Sequence, residues 1–392
     1  MTDLLLRGGR PWGRDAEADI LVRDGVIERI GPNIDGRGAQ PIDLAGRLVL
    51  PGLVDAHCHL DKTLYGRAWV PHSAGDALAD RIATDRRRRA ELGLPSVDNI
   101  VALLEQMVGA GTAYARSHVD VDPEVGLRGV EAVREAAARL DGRITVELVA
   151  FPQHGVLTNP GTADLLEEAL KNGVETVGGI DPAGFDRDPV RHLDVVFGLA
   201  ERYGAGVDIH LHDGGLLGAW EIELIAERAT GLGGRVAISH AYALGQLDEA
   251  HQDRLIHQLA EAGVTLVTAA VYSFPVPPIR KLRAAGVNVA CGHDGIRDLW
   301  GPYGSGDMLD RAMHVAYRST FRRDEDIELA LEAASHGGAR ALGLPAYGLT
   351  EGAPADLVVV AASTPAEAVV ARPPRELVLK AGRVVARAGA VV

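Results

Sequence analysis

The stretch VDAHCHLDK, Val54 to Lys62, places two imidazoles two residues apart directly after an apolar run. Side chains two apart on a strand share a face, so His57 and His59 can both reach one metal ion while Cys58 turns the other way. Alone, a His-x-His is as compatible with two hydrogen-bonded histidines as with a metal. Three further apolar runs end in residues of the same kind. DIHLHD supplies His210 and His212, ISHA supplies His240, and CGHDG supplies His293 and Asp294. Imidazole and carboxylate suit Zn or Fe, and a catalytic site keeps one position open to water. His57, His59, His210 and Asp294 would together make a mononuclear site for one divalent Zn or Fe ion per chain.

Positioning them requires strands that all end at one face. Eight short β-branched runs occupy residues 47–59, 112–121, 144–153, 176–182, 205–213, 235–241, 264–270 and 287–295. Helix-period segments such as DNIVALLEQMVGAG, GVEAVREAAARL, TADLLEEALKNG and LDVVFGLAERYG lie between them, several ending in a glycine suited to a helix C-cap. Strands alternating with helices imply parallel pairing. Eight units over about 250 residues fit a (β/α)8 TIM barrel, whose chemistry gathers at the C-terminal ends of the strands. Nearly every run carries its polar residues at that end. The barrel is expected over residues 51–344. Residues 1–50 and 345–392 read as short strands and turns, expected to pair into one small β-sandwich. Residues 64–95 make a long connection after the first strand, either a lid or an inert helical excursion.

Composition narrows the partners. The formal net charge of −14 disfavours nucleic acid. Two cysteines exclude a disulfide framework. No apolar run reaches 18 residues, and the apolar patch in MTDLLLRGGRPWG is too short for a signal peptide, so a cytoplasmic protein without a membrane partner is expected. TDRRRRAELG, residues 84–93, reads as a solvated helical face.

PGLVDAHCHLDK, SHVDVD, VAFPQ, VGGIDPA, DIHLHD, SHA and GHDGIRDLWGPYGSGDML, in this order, resemble the amidohydrolase superfamily in its cytosine deaminase-like branch. HLHD and IRDLW are most similar to the N-isopropylammelide isopropylaminohydrolase type. The resemblance implies a barrel with a β-sandwich, a homo-oligomer, and one metal held by His57, His59, His210 and Asp294. It also assigns His240 to the attacked centre and Gln153 to substrate contact. A divalent ion brings the pKa of its water toward ~7, and Asp294 can take up the proton released. Attack on an amidine-like ring carbon makes a tetrahedral centre that His240 can stabilise or protonate. A buried histidine bonded to backbone is the alternative for His240.

Two departures weaken cytosine itself as substrate. Cytosine deaminases carry H-C-D-E after the strand-five histidine, where this chain has HLHD. Either Asp213 or His212 would then shuttle the proton. Where they carry a second aspartate, Gly295 stands. Lys62 is either a surface lysine or a contact to the ring substituent, and Trp300 is a pocket wall or core. His118 either bonds near the site or packs, and His154, His251, His257, His314 and His336 are taken as structural.

The expected activity is metal-dependent removal of an amino group from a small nitrogen heterocycle such as an aminopyrimidine. The alternatives are an N-alkylamino-triazine aminohydrolase and a cyclic amide hydrolase. The second is disfavoured because VGGIDPA lacks the bridging lysine of ring-opening relatives. A non-catalytic scaffold is disfavoured by the intact ligand set.

Overall fold

The computed structural model describes residues 2–75 and 78–392. Eight parallel strands run β1 (Leu53–Cys58), β2 (Thr112–Asp120), β3 (Thr145–Phe151), β4 (Thr176–Ile180), β5 (Gly206–Leu211), β6 (Val236–His240), β7 (Thr265–Thr268) and β8 (Val289–Cys291). Each pairs with the next in chain order. The circle is drawn shut by a parallel bridge between Cys58 and Asp294, with Asp294 N donating to His57 O at 2.9 Å. Gly292 permits that approach, because a Cβ there would strike the backbone N and O of His57.

Helices follow the strands in turn, among them Val97–Gly109, Arg128–Arg139, Thr162–Lys171, Pro189–Tyr203, Gly215–Ala229 and Glu249–Glu261. Their starts are written locally. Ser96, Asp188 and Asp248 accept from the backbone N–H three residues on, and Pro189 fills a first-turn position that needs no donor. Gly204 ends one helix at φ +65°, which a side-chain-bearing residue adopts only with strain. The apolar stripes of these helices and the outward faces of the strands form one continuous core.

Both chain ends form the second sheet, as expected. Leu48–Pro51 pairs antiparallel with Leu357–Val360, which continues through Arg375–Lys380 and Arg383–Arg387. Strand Leu4–Pro11 joins the two parts. Its first half pairs with Ala18–Arg23 and Gln40–Asp43, and its second half, past an irregularity at Gly8 and Gly9, with Leu48–Pro51. The sheet folds over its own core of Leu6, Ile20, Ile27, Leu357 and Leu379. Among the described residues no helix is long and apolar enough to cross a membrane.

Candidate active site

Four side chains converge where β1, β5 and β8 end. His57 Nε2 and His59 Nε2 lie 3.6 and 3.3 Å from Asp294 Oδ1, and His59 Nε2 lies 3.4 Å from His210 Nε2. The tautomer of His57 follows from its surroundings. Ser239 Oγ spends its one proton on Asp208 Oδ1 at 2.7 Å, so His57 Nδ1 must donate to Ser239 Oγ at 2.8 Å. The His57 Nε2 lone pair therefore points into the cluster, buried and without a hydrogen-bond partner. A lone pair facing a carboxylate oxygen at 3.6 Å is an arrangement that a shared cation satisfies. Burial, then the charge of Lys62, lowers His59 to about 4. Burial and the neighbouring His57 hold His210 well below the ordinary range, so both imidazoles are neutral at pH 7. The residues present fit a divalent ion.

His240 and His212 stand beside this cluster. His240 is 2 % exposed, both its ring nitrogens lack partners, and its ring lies 4.9 Å from that of His57. His212 stacks on it at 4.5 Å and gives Nδ1 to Asp181 Oδ2 at 2.8 Å. Burial pulls the pKa of His212 down, but Asp181 more than offsets this and raises it. Asp213 accepts from Gly184 N at 2.7 Å. His118 is fully buried against the His57 ring at 4.1 Å, and His293 Nδ1 is held by Asp55 Oδ2 at 2.7 Å. Asp181, His240 and Asp294 all have positive φ, at 33°, 72° and 65°. Backbone strain at these three strand ends aims side chains into the barrel mouth.

Lys62 makes a second cluster. It is 4 % exposed, which removes the surface-lysine reading. Its Nζ lies 2.7 Å from Gln153 Oε1 and 2.8 Å from Asp120 Oδ1, with the Phe151 and Trp300 rings 5.6 and 5.8 Å away. The indole Nε1–H of Trp300 is buried without a partner. Asp298 accepts from Trp300 N and Gly301 N, turning this loop back on itself.

The solvated-face reading of residues 84–93 needs correction. Residues 84–91 belong to helix Leu78–Glu91, in which Thr84 and Asp85 are buried while Arg86 and Arg87 are exposed. Arg89 Nη2 reaches Asp85 Oδ2 at 2.5 Å and Asp120 Oδ2 at 2.6 Å. Three aspartates enclose Lys62 closely enough to keep it charged despite burial.

A polar layer beneath the histidines also escaped the sequence. Arg116 binds Glu147 at 2.9 Å and Asp208 at 3.3 Å, and Asp208 in turn orders Ser239 and His57. The signal was present in the alternation already applied to His57 and His59. Arg116, His118 and Asp120 alternate along β2, as Asp208 and His210 do along β5. For Lys62, composition was a hint, since only four of the 40 Lys and Arg residues are lysine.

Barrel, end sheet and a mouth lined by imidazoles and a carboxylate define a hydrolase of the metal-assisted kind. The amidohydrolase family model matches residues 40–145 and 103–386, and the chain belongs to that family. It is a hydrolase of carbon–nitrogen bonds. N-isopropylammelide isopropyl amidohydrolase of Pseudomonas sp. strain ADP is 32 % identical over 400 residues, covering 100 % of this chain and 98 % of the relative. The crystal structure of N-isopropylammelide isopropylaminohydrolase from Burkholderia multivorans superposes with a TM-score of 0.96 at 48 % identity, covering both chains fully. The structure of 5-methylcytosine deaminase from Klebsiella pneumoniae with 5-fluorocytosine gives a TM-score of 0.86 at 28 % identity, over 98 % and 97 % of the two chains.

Proposed function

We propose that the protein hydrolyses the exocyclic C–N bond of an oxo-substituted nitrogen heterocycle, releasing ammonia or an alkylamine and leaving a ring carbonyl. His57, His59, His210 and Asp294 would hold one Zn or Fe ion. Such an ion would supply Lewis acidity and an activated water at neutral pH. Asp294 accepts the proton that the water gives up. His240, neutral and with both nitrogens free, donates a hydrogen bond to the charge growing at the attacked carbon's substituent. His212, oriented by Asp181 and stacked on His240, carries the proton to the leaving nitrogen. The carboxylate of Asp213 is engaged by the N–H of Gly184, which favours His212 for that step.

The observation carrying the reading is the pairing of the imidazole–carboxylate cluster with a donor-rich wall. Lys62 donates to Gln153 Oε1 and pairs by charge with Asp120 Oδ1, which leaves an ammonium N–H for the ring. Gln153 accepts from Lys62 through Oε1, so its NH2 group stays free, and Trp300 adds an indole N–H. Three donors suit a ring bearing carbonyl oxygens. An N-alkylamino-dioxotriazine is favoured over cytosine by the full-length similarity to the two ammelide enzymes and by Gly295 and HLHD. Cytoplasmic location, supported by the free buried cysteines Cys58 and Cys291, and homo-oligomerisation complete the reading.

Amine release from N-isopropylammelide, cytosine, isoguanine and creatinine is the test. Turnover of N-isopropylammelide with isopropylamine as product supports the proposal. Ring opening of a cyclic amide, with no amine released from any of the four, overturns it.

A further inference from the structure

Lys62 and the strand-end cluster are reached from the barrel, whereas Arg89 comes from an excursion of the chain that belongs to no barrel unit. Its side chain is 12 % exposed, and one nitrogen, Nη2, serves two carboxylates. Asp85, one helical turn before it, holds Arg89 in place. Asp120 then divides its two oxygens, giving Oδ2 to Arg89 and Oδ1 to Lys62. Asp61 fixes the same residue from behind by accepting from Asp120 N at 3.1 Å. We propose that Arg89 is a positioning residue for Lys62, holding one oxygen of Asp120 so that the other orients the ammonium toward Gln153 and the substrate. The inference rests on the functional reading only in giving Lys62 a substrate to touch.

Without Arg89, three buried carboxylates surround a single ammonium, and the second oxygen of a 1 %-exposed Asp120 loses its partner. That carboxylate then turns both oxygens on Lys62 and draws it away from Gln153. The ammonium survives, but its free N–H no longer points at the substrate.

The test is a double-mutant cycle on the metal-loaded full chain, assayed with N-isopropylammelide. Arg89→Gln should lower kcat/KM about tenfold, mostly through KM, and cause no further loss in a Lys62→Met background. Arg89→Lys should recover most of the loss, because one nitrogen makes both contacts. A loss of equal size in the Lys62→Met background, or none in either, overturns the proposal. If Arg89→Gln fails to fold, Asp85→Asn reads the same coupling through a freed Arg89. With four lysines in the chain, the 13Cε signal of Lys62 can be followed directly. Arg89→Gln should move it, whereas Arg87→Gln, at an exposed position of the same helix, should not. An unmoved Lys62 signal sinks the proposal even if no substrate is turned over, while absent amine release from wild type sinks the functional reading alone.

Discussion

The two sides of the barrel mouth are built by different means. On one side, His57, His59, His210 and Asp294 stand at or just past strand ends, and their backing is local to the barrel, from Ser239, Asp208 and Arg116. On the other, Lys62 is held by Asp120 and Gln153, and Asp120 is held in turn by a helix from the β1 connection. Strand pairing places the first group within narrow limits, as chemistry at a shared centre requires. The second depends on long side chains meeting across loops, where lengths and charges can change without disturbing the barrel. We read the first side as the reacting centre and the second as the part that selects the ring.

Substitutions should separate the two sides by size and kind of effect. Asp294→Ala should cost about 10³-fold or more in kcat and reduce bound metal, as measured by amine release and elemental analysis. Near-normal turnover would remove Asp294 from the reacting centre. His240→Asn should lower kcat about 10²–10³-fold while KM stays within a few-fold. A change confined to KM would move His240 to the selecting side. Lys62→Met should cost about 10–10²-fold in kcat/KM, the range for a hydrogen bond from a charged group, with metal content unchanged. Loss of metal in that variant would erase the distinction between the sides.

The smallest effect concerns Glu221, beneath Asp213. Its pKa is pushed up to about 8 by burial, with the N–H of Ala183 opposing and Asp213 adding. The folded state therefore binds an extra proton above the ~4.3 of an unfolded glutamate. Its stabilising contribution is full below about pH 4.5 and lost as pH rises to about 8. Glu221→Gln should flatten the fall of Tm across that window by a few degrees, read by calorimetry at several pH values. Parallel wild-type and variant curves would refute the assignment.

The same contrast explains what the sequence made legible. The eight strands, the sheet from both chain ends and the imidazole-rich mouth follow from hydrophobic period and from polar residues at strand ends, which are local signals. His57 with His59 and His210 with His212 announce themselves by spacing. Arg116 and Asp208, midway along their strands, and Asp120, at the end of its strand, obeyed the same alternation, but as charged residues they lacked a partner in view until the barrel closed. For Arg89 the only local signal was Asp85 four residues before it, which gives no hint of Asp120. Its run of four arginines looks solvated, and only the return of the helix toward β2 distinguishes Arg89 from the exposed Arg86 and Arg87. Asp213 and His212 were indistinguishable as proton carriers from sequence, because only the fold brings Gly184 to one and Asp181 and His240 to the other.

On this reading, C–N hydrolysis requires a single ion held by His57, His59, His210 and Asp294. Chelator-stripped protein should release no isopropylamine from N-isopropylammelide, and activity should return in proportion to added Zn or Fe and saturate at about one ion per chain. Full amine release by metal-free protein, or saturation only at two ions per chain, would contradict it.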